Sequence, residues 1–321
     1  MDLKYNVLII GAGNIGAFFD TPANDKILTH AHAFTKHKGF NLIGFLDKDT
    51  QKAQKAAELW RCKAFRSLDS AFEYCTIDIA CIAVPDDYHY IILNTLSKFP
   101  LQIAFTEKPL AQTNKEAKEL IQIFKQNNIE IVVNYSRRFV PEFEKIKNDI
   151  TKGIYGEYIT GTGYYGKGII HNGSHLIDVL RYFIGEIDSV KPVDSISDYN
   201  MDDKSIAAVL TFENNKPFFI QCVDCRNYTI FEIDLFFERK RVRIHDLGFK
   251  IEVYEIQKSK VYENYNNIIK VNKIDTSLQL ALYYAAENIY NHLAFGQSFK
   301  SNIGEAYKTL KTCIKIIESI K

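Results

Sequence analysis

In the first 135 residues, short continuous apolar runs alternate with longer segments of helical periodicity. Apolar runs without polar alternation are typical of strands that are buried on both faces of a parallel sheet. The segments between them carry their apolar residues on one stripe, as in a helix expected over Lys115–Gln126. The alternation predicts a doubly wound α/β sheet. The expected strands are Asn6–Ile10, Asn41–Asp47, Ile79–Val84, Gln102–Thr106 and Glu130–Asn134.

After about residue 156 the pattern changes to longer strands of period two. In Phe231–Glu238, apolar residues alternate with mostly acidic ones, which indicates a strand with one buried face. We expect Glu238–Arg241 to turn the chain into the next strand, so that Arg241 and Arg243 face acidic residues across the ladder. This half of the chain therefore predicts a large, mostly antiparallel sheet, preceded by a helix with an apolar stripe from Leu176 to Phe183.

A glycine-rich turn follows the first strand, with the spacing Gly-x-Gly-x-x-Gly. Between a strand and a helix, such glycines permit a tight turn and let backbone N–H groups approach a pyrophosphate at the positive end of the helix. The motif therefore predicts a Rossmann domain that binds a dinucleotide. Asp20–Thr29 is expected to form an extra loop that interrupts the helix. The predicted cofactor-binding residues of the turn are Gly11, Ala12, Gly13, Asn14, Ile15 and Gly16.

Asp47 ends the second predicted strand, where a carboxylate can accept hydrogen bonds from both ribose hydroxyls of the cofactor. The same charge repels a 2′-phosphate, so the sequence favours NAD over NADP. Lys48 follows directly and could tolerate a phosphate, which keeps NADP as the less favoured alternative.

The chain has 40 Lys and Arg residues against 39 Asp and Glu, and its net charge of +1 gives no field that would attract nucleic acid or an anionic membrane. No apolar run approaches the roughly 20 residues of a membrane-spanning helix. The six scattered cysteines fit a reducing compartment, so we expect a cytoplasmic protein. Cys222 and Cys225 would point to opposite faces of a strand, and no metal site is predicted.

Two further motifs stand at strand ends: Thr106-Glu107-Lys108-Pro109 and the segment from Asn134 to Phe139, Asn-Tyr-Ser-Arg-Arg-Phe. Together with the glycine turn they resemble the family of glucose-fructose oxidoreductase, inositol dehydrogenase and the rhizopine catabolism protein (Gfo/Idh/MocA), over essentially the whole chain. The resemblance implies three parts. They are a Rossmann domain over residues 1–135, a substrate-binding and oligomerisation α/β domain over 136–300, and a C-terminal helix over 301–321 that could pack back on the Rossmann domain.

The resemblance also implies roles for residues at the strand ends. Lys108 would contact the substrate hydroxyl or carbonyl beside the nicotinamide, and Glu107 would help to seat the cofactor. The chemistry agrees, because strand ends of an open α/β sheet face the ligand crevice and an ammonium there can polarise a carbonyl; the alternative is a solvated surface lysine. The other implied residues are Val84, Pro85 and His89 beside the cofactor, and Asn134 and Arg138 at the substrate edge.

Two of these assignments have equally simple alternatives: His89 could be an exposed residue at a helix start, and Arg138 could merely bridge domains. In the second domain, Gly168–Asp178 resembles the family's second motif, and His175 matches its histidine. His171 stands where many relatives have an aspartate, so an Asp–His relay is not implied. His175 could instead be a packing or capping residue. Further predicted substrate-binding residues are His171, Asn172, Tyr164 and Tyr165, although an aromatic strand is usually core.

Taken together, the sequence predicts an NAD(H)-dependent oxidoreductase of CH–OH groups, with Lys108 and His175 handling the proton. The expected substrate is a sugar or nucleotide-linked sugar, and one weak resemblance points to bacterial surface-polysaccharide pathways. A homodimer or homotetramer is expected, without nucleic acid or membrane partners. The alternatives are a non-catalytic cofactor-sensing regulatory or binding protein and an NAD-dependent glycosidase, both of which the same fold supports elsewhere.

Overall fold

The computed structural model describes residues 4–320, which form two compact units. The first comprises the chain up to Phe139 together with Gln279–Lys308, and the second comprises Val140–Leu278 and the chain from Thr309 onward. The predicted division needs correction, because the segment before residue 300 returns to the first unit. Its helix Ala281–Phe295 places apolar side chains in the core of the first sheet, namely Leu282, Ala285, Ala286 and Ile289.

The first unit is built on a six-stranded parallel sheet with the order β3-β2-β1-β4-β5-β6. The predicted doubly wound sheet is confirmed, and the five expected strands are present with ends within two residues of those expected. The short strand Lys63–Phe65 was missed because three residues carry no periodicity. The strands are β1 Tyr5–Ile10, β2 Phe40–Leu46, β3 Lys63–Phe65, β4 Ile79–Ile82, β5 Ile103–Thr106 and β6 Glu130–Val133.

Helices of the first unit connect these parallel strands. Asp49 caps one of them by accepting hydrogen bonds from the backbone N–H groups of Gln51 and Lys52, and Thr113 caps another through a capping box with Glu116. The helices of this unit are α1 His30–Lys36, α2 Thr50–Trp60, α3 Leu68–Tyr74, α4 His89–Leu96, α5 Asn114–Gln126 and α8 Ala281–Phe295.

The first helix is interrupted, as the sequence predicts. A single π-helical turn, Asn14–Phe18, follows the glycine turn, and α1 begins only at His30. The loop between them is closed by the buried carboxylate of Asp20. It accepts hydrogen bonds from the Leu28 backbone N–H at 2.6 Å and the Thr29 hydroxyl at 2.6 Å, and lies 2.8 Å from His32 Nδ1. Thr29 also accepts from the His32 backbone N–H and caps α1.

The second unit is an eight-stranded sheet with the order β14-β13-β12-β11-β7-β10-β9-β8, antiparallel except for the β7–β10 pair. The predicted fold class is thus confirmed. Its strands are β7 Tyr158–Tyr165, β8 Ile187–Ile196, β9 Ser205–Phe212, β10 Pro217–Cys222, β11 Phe231–Phe237, β12 Lys240–His245, β13 Lys250–Lys258 and β14 Asn266–Asp275, and its helices are α6 Pro141–Thr151 and α7 Ser174–Phe183. The last helix, α9 Ile303–Glu318, begins in the first unit and ends in this one.

The predicted charge pairing across the β11–β12 hairpin is present: Arg241 binds the Asp234 carboxylate, and Arg243 binds Glu232 at 3.1 Å. The sheet face that carries these pairs is the one on which Tyr164 lies, because side chains alternate along β7. Helix α7 covers the opposite face, since the Leu176 side chain packs at Gly163. Within residues 4–320, no helix is both long and apolar enough to cross a membrane.

We expect Asp20→Ala to lower the free energy of unfolding by about 3 kcal/mol, because it leaves buried donors of the loop without an acceptor. Urea unfolding monitored by circular dichroism measures the change. Asp25→Ala is the matched control, since Asp25 is exposed in the same loop. Equal midpoints for the two variants would show that Asp20 does not hold the loop.

Candidate active site

The glycine turn follows β1 and passes close to the backbone of Ala83, just after the end of β4. Gly11 has a φ of +103°, and a Cβ at this position would lie 2.4 Å from the Ala83 carbonyl oxygen. Its N–H donates to the Leu46 carbonyl at 2.8 Å. Only glycine fits both the left-handed backbone and the close approach. The turn is therefore anchored to the ends of β2 and β4.

The other two glycines of the motif differ in what surrounds them. A Cβ at Gly16 would lie 2.2 Å from the Gly11 carbonyl oxygen, so Gly16 is needed for the turn itself. A Cβ at Gly13 would meet no atom within 4 Å, although its backbone is in an ordinary extended conformation. The fold does not require glycine at Gly13. Open space beside backbone N–H groups at a helix start fits the approach of a pyrophosphate.

Gly13 lines a cavity of about 490 Å³ at the strand ends of the first unit. Asp47 also lines it and anchors the turn, since its carboxylate accepts hydrogen bonds from Ala12 N–H at 2.7 Å and Asp49 N–H at 2.8 Å. Each carboxylate oxygen can accept a further bond from a ribose hydroxyl. Of the predicted cofactor-binding residues, the cavity wall contains Gly11, Gly13, Asp47, Lys48, Val84 and Pro85.

Sequence reasoning missed other residues of this wall. Arg66 follows the unpredicted strand β3, and Lys52 lies in the first turn of α2. Tyr88 stands over the cavity with the Lys48 ammonium 5.0 Å from its ring centroid. No motif in the sequence marks these positions, because they come together only when β3, β2, β1 and β4 lie side by side in the sheet. Ala12, Asn14, Ile15 and Gly16 belong to the turn but not to the cavity wall.

His89 lies inside the first unit. The ring is fully buried at the start of α4, with Nδ1 2.6 Å from the Pro109 carbonyl oxygen and Nε2 3.0 Å from the Val84 carbonyl oxygen. The alternative of an exposed residue is therefore wrong, and the place of His89 beside the cofactor stays a prediction. His89 joins the cavity wall at Val84 to the segment that follows Lys108.

Glu107 is the centre of a buried polar cluster at the end of β5. Its Oε1 lies 2.8 Å from His30 Nε2 and accepts a hydrogen bond from Asn134 Nδ2 at 2.8 Å. Burial acts to raise the pKa of Glu107. The hydrogen bonds from His30 and Asn134 and the charges of His30 and Lys108 together outweigh burial, so the pKa of Glu107 lies below its ordinary value. Glu107 is therefore an anion, and Lys108 follows it, half-buried, at the strand end.

Asn134 and Arg138 are both buried in the first unit. Asn134 donates to Glu107, so the structure gives it a place in this cluster and not at an open substrate edge. Arg138 forms an ion pair with Glu305 at 3.2 Å, and its side chain is 5% exposed. The charge of Arg138 is thus already paired within the first unit, and its contact with substrate stays a prediction.

In the second unit, the segment before α7 is held by two aspartates from the β8–β9 connection. Asp203 accepts hydrogen bonds from the N–H groups of Ile170 at 2.9 Å and His171 at 2.8 Å. Burial raises the pKa of Asp203. Asp198 accepts from the Lys167 N–H at 2.7 Å and from the Ser205 hydroxyl at 2.8 Å. No sequence pattern marks either residue, because they lie about 30 residues after the motif they hold.

These anchors place the histidines of the motif on one rigid segment. His171 stacks on Tyr199 with ring centroids 4.7 Å apart, and Asn172 donates to the Gly166 carbonyl at 2.9 Å. His175 is the second residue of α7 and is half-buried, while the buried stripe of the helix begins at Leu176. The predicted placement of His175 in the first turn of this helix is confirmed.

The two tyrosines of β7 are not where a substrate ring was expected. Tyr165 is fully buried, and its hydroxyl donates to the Ile206 carbonyl at 2.8 Å. Tyr164 lies on the open sheet face opposite α7, beside Glu232, and is 37% exposed. Side chains alternate along β7, so Tyr164 points to the open face, whereas Tyr165 points to the face that α7 covers and its ring packs at Gly173.

The six cysteines are free thiols, including Cys222 and Cys225. Among the residues that the structure describes, no group of three or more His, Cys, Asp or Glu side chains is arranged to hold a metal ion.

Comparison with known proteins identifies the first unit. Residues 5–135 match the GFO_IDH_MocA family, described as an oxidoreductase family with an NAD-binding Rossmann fold. The Rossmann domain of this chain is therefore similar to that of the Gfo/Idh/MocA oxidoreductases. This confirms the resemblance carried by the glycine turn and the Glu107-Lys108-Pro109 motif, and it confirms NAD as the cofactor type of the domain.

Relatives of the chain include inositol 2-dehydrogenase of Rhizobium meliloti, 24% identical over 196 residues, which are 56% of this chain and 54% of the relative. Matches to the curated relatives span about half their length, with 46% for inositol 2-dehydrogenase of Corynebacterium glutamicum. The WlbA dehydrogenase of Bordetella pertussis, solved with NADH and UDP-GlcNAcA, superposes with a TM-score of 0.81 at 16% identity over 99% of this chain and 96% of that one.

A second solved structure, UDP-N-acetylglucosamine 3-dehydrogenase GnnA from Acidithiobacillus ferrooxidans, gives a TM-score of 0.78 at 16% identity, covering 99% of this chain and 98% of the other. At this level of identity the two superpositions show a shared fold for both halves of the chain.

We expect Gly13→Ala to weaken NADH binding at least about tenfold without lowering the free energy of unfolding, because the methyl group occupies only the space left for the pyrophosphate. Isothermal titration calorimetry with NADH and urea unfolding provide the two measurements. Gly16→Ala is the contrasting variant, and should lose stability because its Cβ meets the Gly11 carbonyl. Unchanged NADH affinity in folded Gly13→Ala would place the cofactor elsewhere.

Proposed function

We propose that the chain is an NAD(H)-dependent oxidoreductase that acts on a hydroxyl or keto carbon of a sugar or nucleotide-linked sugar. The observation that carries the proposal is the position of Lys108. It follows a buried, hydrogen-bonded Glu107 at the end of a parallel strand, in the unit whose glycine turn leaves room for a dinucleotide. The names of its relatives, inositol and UDP-sugar dehydrogenases, support this substrate class.

We assign the hydride transfer to the cofactor and the proton transfer to side chains of this chain. Gly13 and Asp47 would hold NAD in the cavity at the strand ends, and bound NAD would supply hydride transfer to or from the reacting carbon. The amine of Lys108 takes the proton of the reacting hydroxyl as the C=O bond forms, and gives it back in the reverse direction. As an ammonium it polarises the carbonyl oxygen. His175, the second residue of α7, is the second proton carrier.

The segment anchored by Asp203 is the proposed substrate platform. Asp203 holds the backbone N–H of His171, and the Asn172 side chain donates to the Gly166 carbonyl. We place sugar hydroxyls against the remaining polar atoms of these two side chains. We place the substrate in a bacterial surface-polysaccharide pathway, to which one resemblance of the sequence points. The free thiols fit a cytoplasmic location.

A substrate panel tests the function directly. We expect absorbance at 340 nm to change when the protein is given NAD or NADH with UDP-N-acetylglucosamine, free keto-sugars, myo-inositol and methyl glucosides. Binding of NADH without any turnover would instead favour a cofactor-sensing protein. Tightly held NAD with release of a sugar but no net redox change would favour a glycosidase.

We expect Lys108→Met to lower kcat by at least about a hundredfold, because a positioned proton carrier contributes roughly 10² to 10⁴ in rate. NADH binding should stay within about threefold of wild type, since the glycine turn and Asp47 are untouched. Lys115→Met is the matched control, because the Lys115 side chain is 85% exposed on α5. Full activity of Lys108→Met would remove this residue from the reaction.

We also propose a homodimer or homotetramer that forms through the open face of the second unit's sheet. This face exposes apolar side chains on neighbouring strands: Phe219 on β10 at 43%, and Ile159 at 44% where the register of β7 shifts by one residue between Tyr158 and Thr160. In the family that the sequence resembles, the same sheet face forms the contacts between subunits. Water contact with such a surface is unfavourable, so that its burial drives association.

The double variant Ile159→Lys/Phe219→Lys should shift the mass measured by light scattering from two or four times 37.0 kDa toward 37.0 kDa. Lys152→Glu, an exposed change in the same unit, is the control and should leave the mass unchanged. A wild-type protein that is already monomeric would contradict the assembly.

A further inference from the structure

His30 joins the extra loop of the first helix to the strand end that carries Lys108. Its ring is fully buried, with Nε2 2.8 Å from Glu107 Oε1 and an edge-to-face contact with Phe105 at 5.1 Å. A buried carboxylate that is paired with a histidine and also bonded to Asn134 is held in one orientation. Nothing in the proposed chemistry itself uses His30.

The charges of this cluster are linked. Burial acts to lower the pKa of His30. The interactions with Cys81 and Glu107 outweigh burial, so the pKa of His30 lies above its ordinary value. Glu107 in turn is an anion because of His30, Asn134 and Lys108. A buried cation, a shared carboxylate and the amine of Lys108 therefore form one electrostatic unit. The titratable groups of this unit are His30 on α1, Cys81 on β4, and Glu107 and Lys108 at the end of β5.

We propose that His30 is a positioning residue that sets the proton affinity of Lys108 through Glu107. The inference rests on the proposed role of Lys108 as the proton carrier. Glu107 favours the charged form of the neighbouring amine, and the positive charge of His30 on the same carboxylate oxygen weakens that preference. The amine thereby gives up its proton more readily, as a group that must alternate between donor and acceptor requires.

The extra loop supplies the means of placing His30. Asp20 closes the loop on Leu28, Thr29 and His32, and Thr29 caps α1, so that the first residue of the helix is fixed. The interruption of the first helix thus has a use: it starts α1 at the point where its first side chain reaches Glu107.

Competitive labelling with acetic anhydride tests the inference without any substrate. The fraction of Lys108 acetylated is read by peptide mass spectrometry from about pH 6 to about pH 11, a range that spans the titration of amines. Removing a nearby positive charge stabilises the ammonium. We therefore expect His30→Gln, which can keep the hydrogen bond to Glu107, to raise the labelling midpoint by about one pH unit.

Two further variants make the result specific. His32→Gln changes the other buried histidine of α1, whose partner is Asp20, and should leave the Lys108 midpoint unchanged even if the fold is less stable. Glu107→Gln removes the negative charge beside Lys108 and should lower the midpoint. General damage to the site would move the midpoint in the same direction in all three variants, whereas the inference requires opposite directions for His30→Gln and Glu107→Gln.

The labelling result for His30→Gln can be distinguished from the result of the substrate panel and of Lys108→Met. A midpoint that is the same in wild type and folded, NADH-binding His30→Gln would overturn the inference, whatever the activity of Lys108→Met. A raised midpoint in a protein that turns over no member of the substrate panel would uphold the link between His30 and the amine while the proposed reaction fails.

Discussion

A buried carboxylate that must be paired governs the arrangement of the first unit's strand ends. Glu107 stands at the end of β5, where burial without partners would neutralise it or cost several kcal/mol. It is paired with His30, the first residue of α1, and with Asn134, which follows β6 directly. These partners come from segments about 77 and 27 residues away, so the pairing fixes three elements around the position of Lys108.

The interruption of the first helix follows from the same requirement. A continuous helix after the glycine turn would carry different residues past the end of β5. The chain instead leaves the helix after one π-helical turn and re-enters it at His30, with Asp20 and Thr29 holding the closure. The loop is therefore part of the support of the site, although its tip at residues 21–26 is exposed to solvent.

In the second unit, Asp198 and Asp203 of the β8–β9 connection hold the backbone of the motif that precedes α7. The family resemblance implies that many relatives have an aspartate four residues before the matching histidine, and this chain has His171 at that position. Asp203 holds the backbone N–H of that residue, and Tyr199 stacks on its ring. The anchoring is supplied by the loop between β8 and β9, so that changes in that loop would alter the geometry of the segment that carries His175.

The sequence by itself determined the parallel and antiparallel sheets, the glycine turn, the broken first helix and the position of Lys108 at a strand end. These features depend on periodicity and on spacing within short segments, which a single chain displays directly. Only the tertiary structure decided that His89 and Arg138 are buried, that Tyr165 is core, and that residues 279–300 return to the first unit. Burial and pairing depend on partners far away in the chain, such as Glu305 for Arg138, and no local pattern encodes them.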